Sequence, residues 1–305
     1  MHSASSLKLL LRNPLGFVWQ YVLGWRSPTS GEDPLVLEPL DFGVLVHGVL
    51  DCALRALEVK GGCATASGDE IARSVDEALH EIALDWEDER SVPPALIWRR
   101  TLEDARVLCE RALSFQAQWH AGTRSYSEVP FGGSAPKSSA VLPWDATLPV
   151  EIPGTGFRIG GYIDRLDIAG DSRRVRVRDY KTGRTASSDI VFDGGRELQR
   201  CLYAFAAKAM LGEHVDVTSS LLYLRDQTEL PLDDPKRRLH EISHYLQAAR
   251  ANLVSGGALL GIDTGGRFDA LAFALPANAG ATYRRRKEPS ATARLGDAVR
   301  IWEVS

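Results

Sequence analysis

Two neighbouring segments with strand-like alternation constrain the fold of this chain more than any other feature. Residues 157–168 and 173–181 alternate apolar and polar side chains, as strands with one buried face do. Gly170 and Asp171, which lie between them, are typical hairpin-turn residues. The two segments are therefore predicted to pair as an antiparallel hairpin around which the rest of the chain is organised.

Three charged side chains fall on the apolar face of this hairpin. An even-membered turn places Asp164 opposite Val177 and makes Asp179 its diagonal neighbour on the same face, which also carries Lys181. Diagonal neighbours have Cα atoms roughly 7–8 Å apart, so the two carboxylates can share one cation. Because burial of an unpaired charge is costly, the cluster indicates either a metal site or a structural ion pair of Lys181 with an aspartate. The other face has the pattern of an ordinary solvated surface and carries Arg165, Asp167, Arg174, Arg176 and Arg178.

The composition is that of an ordinary globular protein. With 305 residues, 44% of them hydrophobic and 25% charged, the chain is long enough for a large core. A formal net charge of -4 provides no global basic field, so any contact with nucleic acid must come from a local groove. No run of about 18 apolar residues occurs, which predicts no membrane span, and residues 12–14 interrupt the N-terminal apolar stretches in a way that argues against a signal peptide. The cysteines form no Cys-x-x-Cys pair and predict a reduced, cytoplasmic protein with free thiols at Cys52, Cys63, Cys109 and Cys201.

Helical periodicity dominates the first part of the chain. Four helices are predicted, over residues 5–25, 42–58, 67–86 and 94–122. Pro14 breaks the first of them, and Ser67 and Glu70 have capping-box spacing at the start of the third. His47 lies on the apolar stripe of the second helix, where a histidine is more often a satisfied core residue than a ligand.

The character of the sequence changes after Gly122. Short strands are predicted over residues 125–131, 148–152, 157–168, 173–181 and 215–224, with a last strand-like segment at 299–304 that closes a sheet edge. Helices are predicted over residues 197–211 and 231–254. The basic run at 284–287 is typical of a solvated or mobile loop, with a phosphate contact as the alternative.

This order of elements predicts an α/β layer arrangement in one domain. We expect a helical part at about residues 1–122, a part with the catalytic sheet and its helices at about 123–255, and a C-terminal extension at about 256–305.

Five short motifs together resemble those of one enzyme family. They are Asn-Pro-Leu-Gly-Phe at 13–17, Gly-x-x-x-His-x-x-Leu at 43–50, Gly-Gly-Tyr-Ile-Asp-Arg-Leu-Asp at 160–167, Asp-Tyr-Lys at 179–181 and Gln-x-x-x-Tyr at 199–203. Each motif is weak alone, but their order and spacing agree over roughly residues 5–255. The sequence resembles the PD-(D/E)XK nuclease superfamily, specifically its RecB- and AddB-like branch. The resemblance implies a restriction-endonuclease-like fold, in which helices flank a mixed β-sheet core and a helical layer precedes it.

The resemblance also implies the ligands of a metal ion. Asp164 and Asp179 stand at the two motif aspartates, and hard carboxylate oxygens suit Mg²⁺ or Mn²⁺. The backbone carbonyl of Tyr180 is a further ligand by analogy with the family, and His47 is now favoured as a nitrogen ligand. Glu128 matches a strand glutamate of this branch and is expected to be either a carboxylate outside the direct ligands or a ligand of a second metal ion.

The implied catalytic residues are Asp164, Asp179, Lys181, Gln199 and Tyr203. A metal ion lowers the pKa of bound water and offsets charge on the phosphate. Lys181 is expected to position or deprotonate that water and to stabilise developing charge. Gln199 and Tyr203 lie on one helix face and are expected to hold the lysine or the DNA backbone.

One departure from the family pattern concerns iron–sulfur chemistry. Some members of the branch carry an iron–sulfur cluster, with one cysteine before the opening proline and three near the C-terminus. In this sequence Asn13 occupies the first position, and no cysteine follows Cys201. No iron–sulfur cluster is therefore expected.

The leading functional hypothesis is a metal-dependent DNA nuclease that acts on a single strand or a duplex end in DNA repair, recombination or defence against foreign DNA. A helicase or a repair or defence complex is the expected kind of partner, and no membrane role is expected. The alternative is a non-catalytic DNA-binding or scaffolding nuclease-fold module of a larger helicase–nuclease complex. A different metal hydrolase using the same carboxylates is a weaker alternative. The choice between exonuclease and endonuclease action, and between DNA and RNA, stays open.

Overall fold

A mixed β-sheet with helices on both faces forms the body of the protein. The computed structural model describes residues 1–28, 33–115, 122–187, 189–267, 269–278 and 282–305. The helices in these ranges are α1 (Ala4–Arg12), α2 (Pro14–Phe17), α3 (Pro39–Val59), α4 (Gly68–Glu89), α5 (Ala95–Ser114), α6 (Gln199–Leu211), α7 (Pro235–Val254) and α8 (Arg284–Leu295). The strands are β1 (Arg124–Phe131), β2 (Val150–Glu151), β3 (Arg158–Ile159), β4 (Gly161–Ile168), β5 (Arg174–Lys181), β6 (Asp216–Tyr223) and β7 (Thr228–Pro231).

The main sheet is mostly antiparallel but contains one parallel pair. Its strand order is β1-β4-β5-β6-β7, and only the pairing of β5 with β6 is parallel among the described strands. Strands β2 and β3 form a separate two-stranded sheet. A parallel pair needs a crossover connection, and α6 lies in the connection between β5 and β6. The predicted restriction-endonuclease-like α/β fold is confirmed.

The central hairpin forms, but its register differs from the predicted one by two residues. Leu166, and not Asp164, lies opposite Val177. The loop contains four residues instead of two, because Ala169 donates its N–H to the carbonyl oxygen of Arg174 at 3.0 Å. The Asp171 carboxylate accepts N–H groups within that loop, which stabilises the longer turn. The loop is still even-membered, so the predicted faces are kept, and Asp164 comes level with Asp179 instead of diagonal to it.

The face of the hairpin that was predicted to be solvated is largely buried. Asp167 is fully buried and pairs with Arg165 at 2.8 Å, Arg176 at 3.0 Å and Arg178 at 3.5 Å. Of the five charged residues on this face, only Arg174 is exposed. The prediction was wrong because alternation reports polarity alone, and a compact cluster of ion pairs can be buried under other elements.

Each face of the sheet contributes to its own hydrophobic core. Leu166, Val175 and Val177 belong to the first core, together with buried residues of α1, α6 and α7. Tyr180 and Leu222 belong to the second core, together with buried residues of α3, α4 and α5. The capping box predicted at the start of α4 is present, with Ser67 and Glu70 bonded to each other's backbone. A site at the end of the central strands is therefore held by helices of both layers.

Several local predictions are corrected by the structure. Residues 299–304 are not a strand, because Gly296–Glu303 forms a 3₁₀ helix. Residues 284–287 are not a loop but the first turn of α8. Strand β7 was not predicted, since residue 231 was assigned to a helix that begins only at Pro235. The helix predicted over 94–122 ends at Ser114, and residues 116–121 of that prediction lie outside the described residues.

The C-terminal segment packs against the first helix. Arg12 pairs with Asp263 at 2.5 Å and donates to the carbonyl oxygen of Gly194. Thr264 donates its hydroxyl to the side-chain oxygen of Asn13 at 2.6 Å, and Trp302 donates to the carbonyl oxygen of Leu11 at 2.8 Å. None of the described helices is long and apolar enough to cross a membrane.

Candidate active site

The predicted site residues meet at one end of the sheet, between its two helical layers. A cavity of about 590 Å³ opens there, with walls from α3, β1, β4, β5 and α6. Its lining includes every sequence-predicted site residue except Tyr203, namely His47, Glu128, Asp164, Asp179, Tyr180, Lys181 and Gln199. Helix α3 supplies His47 from one layer and α6 supplies Gln199 from the other, so packing of both cores positions the site.

An imidazole and two carboxylates form a compact cluster in this cavity. His47 Nδ1 lies 3.6 Å from Asp164 Oδ2 and 3.7 Å from Glu128 Oε1. The nearest potential ligand atoms of the three residues all lie within 4.8 Å of one another. On the other side of the ring, His47 Nε2 is 3.3 Å from the backbone carbonyl oxygen of Tyr180. Three donor groups of the kind that bind a divalent cation therefore surround one small space, and the Tyr180 carbonyl lies across the imidazole ring from it.

Asp179 adds a third carboxylate beside this cluster. The side chain is 2% exposed and forms an ion pair with Lys181. Neither carboxylate oxygen accepts a hydrogen bond of regular geometry from the described residues. Asp164, by contrast, accepts the backbone N–H of Tyr180 at 2.8 Å. Asp179 is thus a buried acceptor whose hydrogen-bonding capacity is largely unused.

Lys181 is held by a short relay from α6. Its Nζ donates to Gln199 Oε1 at 2.7 Å, and Gln199 Nε2 donates to Tyr203 Oη at 3.4 Å. Tyr203 packs edge-on against Phe131 of β1, with ring centroids 5.8 Å apart. Because Gln199 and Tyr203 are one helical turn apart, their side chains lie on the same face of α6 and can bond to each other. Tyr203 stands behind Gln199, and its contact with the lysine is indirect.

Two further charged residues reach the cavity without belonging to any of the recognised motifs. Lys137 lies in the long loop after β1, pairs with Glu128 at 2.6 Å and stands 4.3 Å from the ring centroid of Tyr162. Asp51 accepts the hydroxyl of Ser127 at 2.6 Å. The position of Asp51, one helical turn after His47, was a signal that could have found it. Lys137 carried no comparable signal, because nothing local indicates where a long loop returns.

The cavity shifts the proton affinity of its residues. Burial alone would lower the pKa of His47, but the Asp164 and Glu128 carboxylates outweigh burial and raise this pKa to about 9. Burial, followed by repulsion from Asp179, raises the pKa of Asp164. Burial disfavours charge on Lys181 as well, yet the adjacent Asp179 raises the pKa of that lysine. The raised pKa values of His47 and Lys181 thus favour positive charge beside the carboxylates.

The chemistry of these donors fits a divalent cation. Three carboxylates, one imidazole and one backbone carbonyl suit a hard, octahedral ion such as Mg²⁺ or Mn²⁺. The buried Asp179 oxygens, which accept no hydrogen bond of regular geometry from the described residues, are free to act as ligands. Burial of such a charged cluster is not expected to stabilise the fold, because desolvation of the charges is costly.

Comparison with known proteins agrees with this geometry. A family model described as the PD-(D/E)XK nuclease superfamily matches residues 2–273, a range that contains every residue of the cluster. A search of curated proteins finds no match to the chain.

Proposed function

Because the chain belongs to the PD-(D/E)XK nuclease superfamily, we propose that it is a Mg²⁺- or Mn²⁺-dependent nuclease that hydrolyses phosphodiester bonds of DNA. The observation that carries this proposal is the convergence of Asp164, Asp179 and Lys181 with His47 in one cavity. In the motif order Asp, then Asp-x-Lys, the carboxylates are the metal-binding groups and the lysine is the catalytic cation.

The proposed metal ligands are His47, Asp164, Asp179 and the backbone carbonyl of Tyr180, with Glu128 as a further carboxylate. A divalent cation bound there supplies positive charge beside the phosphate and acidity for a coordinated water. The chain's own contribution is to fix these donors. The N–H of Tyr180 orients Asp164 at 2.8 Å, and pairing of β4 with β5 brings the two aspartates level.

Lys181 is proposed to act as a proton-bearing group. Its pKa is raised beside Asp179, so the ammonium form predominates at neutral pH. A protonated lysine positions water and stabilises negative charge on the phosphate but does not remove a proton. Gln199 holds Nζ at 2.7 Å and Tyr203 holds Gln199, so both are proposed as positioning residues.

The finer assignment is to the RecB- and AddB-like branch, with a single strand or a duplex end as substrate. It is supported by the His47 motif on α3 and the Gln199–Tyr203 motif on α6, both of which reach the cavity or its supporting relay. Action in repair, recombination or defence, with a helicase as partner, is proposed on the same resemblance. The residues 1–305 are proposed to form one nuclease domain.

The test is cleavage of end-labelled linear and circular DNA with Mg²⁺, with Mn²⁺ and with chelator. Wild type should cleave only with metal, and Lys181→Ala and Asp179→Ala should each lower the rate by about 10²–10⁴-fold. Lys60→Ala, an exposed lysine at the end of α3, is the matched control and should cleave at the wild-type rate. Equal cleavage by wild type and Lys181→Ala would contradict the proposal. Metal-dependent DNA binding without cleavage would favour the non-catalytic module.

A further inference from the structure

Arg225 lies just after β6, the strand that pairs in parallel with β5, and its side chain reaches the cavity-lining residue Thr182. Parallel pairing of β5 and β6 places Tyr223 beside Lys181, and Leu224 donates its N–H to the carbonyl oxygen of Lys181 at 3.0 Å. Arg225 follows immediately, at the same end of the sheet. The backbone that carries Arg225 is thus tied directly to the catalytic strand.

The Arg225 side chain is exposed but held in place. Its Nε donates to the carbonyl oxygen of Thr182, a cavity-lining residue, at 2.8 Å. Its guanidinium carbon lies 5.8 Å from the ring centroid of Phe42, and Arg111 donates to its backbone carbonyl oxygen at 2.7 Å. Arg225 forms no ion pair with any described residue. The adjacent Asp226 carboxylate accepts the N–H and the hydroxyl of Thr185.

This arrangement leaves the two terminal nitrogens of the guanidinium available. Among the described residues, only Nε of this side chain donates a hydrogen bond. A guanidinium with both terminal nitrogens available can bind a phosphate through two parallel hydrogen bonds. The contacts of Nε and the ring of Phe42 reduce the rotamer freedom that such binding would otherwise remove.

An apolar ledge lies on the α3 side of the same cavity. Leu40 is 80% exposed and Val44 is 45% exposed, and both line the cavity together with Thr182. Residues of α3 and the loop after β5 are close here, since a Cβ built on Gly43 would lie 3.8 Å from Thr182 Oγ1. Exposed aliphatic side chains at the mouth of a polar cavity do not serve a phosphate, but they can contact a base or a sugar.

We propose that Arg225 and the ledge of Leu40 and Val44 form a subsite for the nucleotide next to the scissile phosphate, in an unpaired strand. Arg225 binds the phosphate of that nucleotide, and the ledge contacts its base. A base is available to an aliphatic surface only where it is not paired and stacked inside a duplex. The inference rests on the proposed nuclease function and adds residues that do not stand at a defined position of any motif.

The first test measures binding of a fluorescein-labelled single-stranded oligonucleotide by anisotropy in Mg²⁺, with every variant carrying Lys181→Ala so that the probe stays intact. Adding Arg225→Ala should raise Kd about five- to tenfold and lower the slope of log Kd against log salt by about 0.7, the value for one phosphate contact on a single strand. Arg225→Lys should recover most of the salt slope but less of the affinity, because lysine keeps the charge and loses the two-pronged contact.

The matched control is Arg100→Ala on α5, an exposed arginine that pairs with Glu103 and Asp104. It should leave both Kd and the salt slope unchanged. If Arg225→Ala also leaves both unchanged, the phosphate contact is refuted. If the probe is degraded in the Lys181→Ala background, the proposed catalytic role fails instead, and the two failures are thereby distinguished.

The second test concerns the ledge. Leu40→Ser should raise Kd about threefold for a normal probe with no change in salt slope, since it removes apolar contact and no charge. The same substitution should have no effect on a probe of the same length in which every nucleotide is abasic, since no binding register then presents a base. Because Leu40 is 80% exposed, the variant should fold like wild type. An equal effect on normal and abasic probes, or no effect on either, would refute the base contact.

Discussion

His47 shows how strongly single residues of this protein depend on their neighbours. It lies among carboxylates that raise its pKa to about 9, although burial of the ring acts in the opposite direction. An imidazole must be neutral to bind a metal ion. The proposed cation would therefore compete with the proton that the raised pKa of His47 favours.

This competition predicts a pH dependence of metal binding. The apparent affinity for Mn²⁺ should rise about tenfold per pH unit between about pH 7 and 9, where one proton must leave His47, and should level off above that range. Calorimetry in two buffers of different ionisation enthalpy should show release of about one proton per metal ion at pH 7.5. His47→Ala should bind more weakly and release less than wild type. A flat affinity across this range would contradict the assignment of His47 as a ligand.

Asp167 is the opposite case, a buried carboxylate whose role is structural. Three arginines hold its pKa below the usual range despite full burial. Asp167→Asn should lower the free energy of unfolding by about 3–5 kcal/mol, because the three arginines lose the buried carboxylate that they share. Urea denaturation should show this, whereas Asp104→Asn, which is 45% exposed in its pair with Arg100, should cost about 1 kcal/mol or less.

The stability difference between wild type and Asp167→Asn should also depend on pH. A carboxylate with a depressed folded pKa contributes stability above its unfolded pKa of about 4, and that contribution is lost as the pH falls towards the folded value. The difference between wild type and Asp167→Asn should therefore shrink below about pH 4. A difference that grew in acid would exclude this electrostatic explanation.

At the scale of elements, strand β1 carries a local irregularity at the site. Ser127 and Val129 pair with Arg165 and Ile163 of β4, but Glu128 between them has a φ of 46°. Non-glycine residues in the left-handed region are strained by about 1–3 kcal/mol and persist where surrounding contacts enforce them. Lys137 and His47 provide such contacts by holding the Glu128 carboxylate.

The irregularity predicts a difference between two variants that both lack this carboxylate. Glu128→Gly should be more stable than Glu128→Ala by about 1 kcal/mol, since only glycine adopts a positive φ without strain. Thermal unfolding without metal measures this difference, and metal binding should be weakened equally in both variants. If alanine were the more stable substitution, the strand would have to relax to a regular conformation when the carboxylate is lost.

Some secondary-structure elements of this protein could be predicted from their local sequence, and others could not. Helix α4 was predicted together with its capping box because Ser67 and Glu70 act over one turn. The faces of the hairpin were predicted, but its register was not, because the side chain of Asp171 selects a four-residue loop. The motif residues predicted for the site, other than Tyr203, line one cavity. The positions of Lys137 and Arg225 depend on loop paths and strand pairing that no local pattern reports.

At the scale of the whole molecule, the C-terminal segment forms part of the first of the two hydrophobic cores. Ile301 is fully buried in the core that also contains Leu10, Leu11 and Val177. The predicted edge strand at residues 299–304 is replaced by a 3₁₀ helix whose apolar side closes this core. Local alternation resembled a strand, but burial against α1 and α7 decided the conformation.

Because residues 296–303 are packed into this core, removal of a buried side chain from them should lower the stability of the protein. Ile301→Ala should lower the free energy of unfolding by about 2–5 kcal/mol, as expected for a buried aliphatic side chain. Val254→Ala, at a position that is 78% exposed, should change it by less than about 0.5 kcal/mol. Chemical denaturation followed by tryptophan fluorescence would measure both. Equal stability of the two variants would mean that residues 296–303 are peripheral to the core.

The bonds between α1 and the C-terminal segment also order events during synthesis. Leu11 and Trp302, which share a hydrogen bond, are 291 residues apart, and Arg12 and Asp263 are 251 apart. A ribosome releases the first helix long before its partners exist, and contacts of such long separation form late in folding. The main sheet itself ends at Pro231, so all of its strands and the residues of the candidate site are synthesised before Asp263 and Trp302. The first helix would therefore reach its final packing only after the sheet that carries the site has been made.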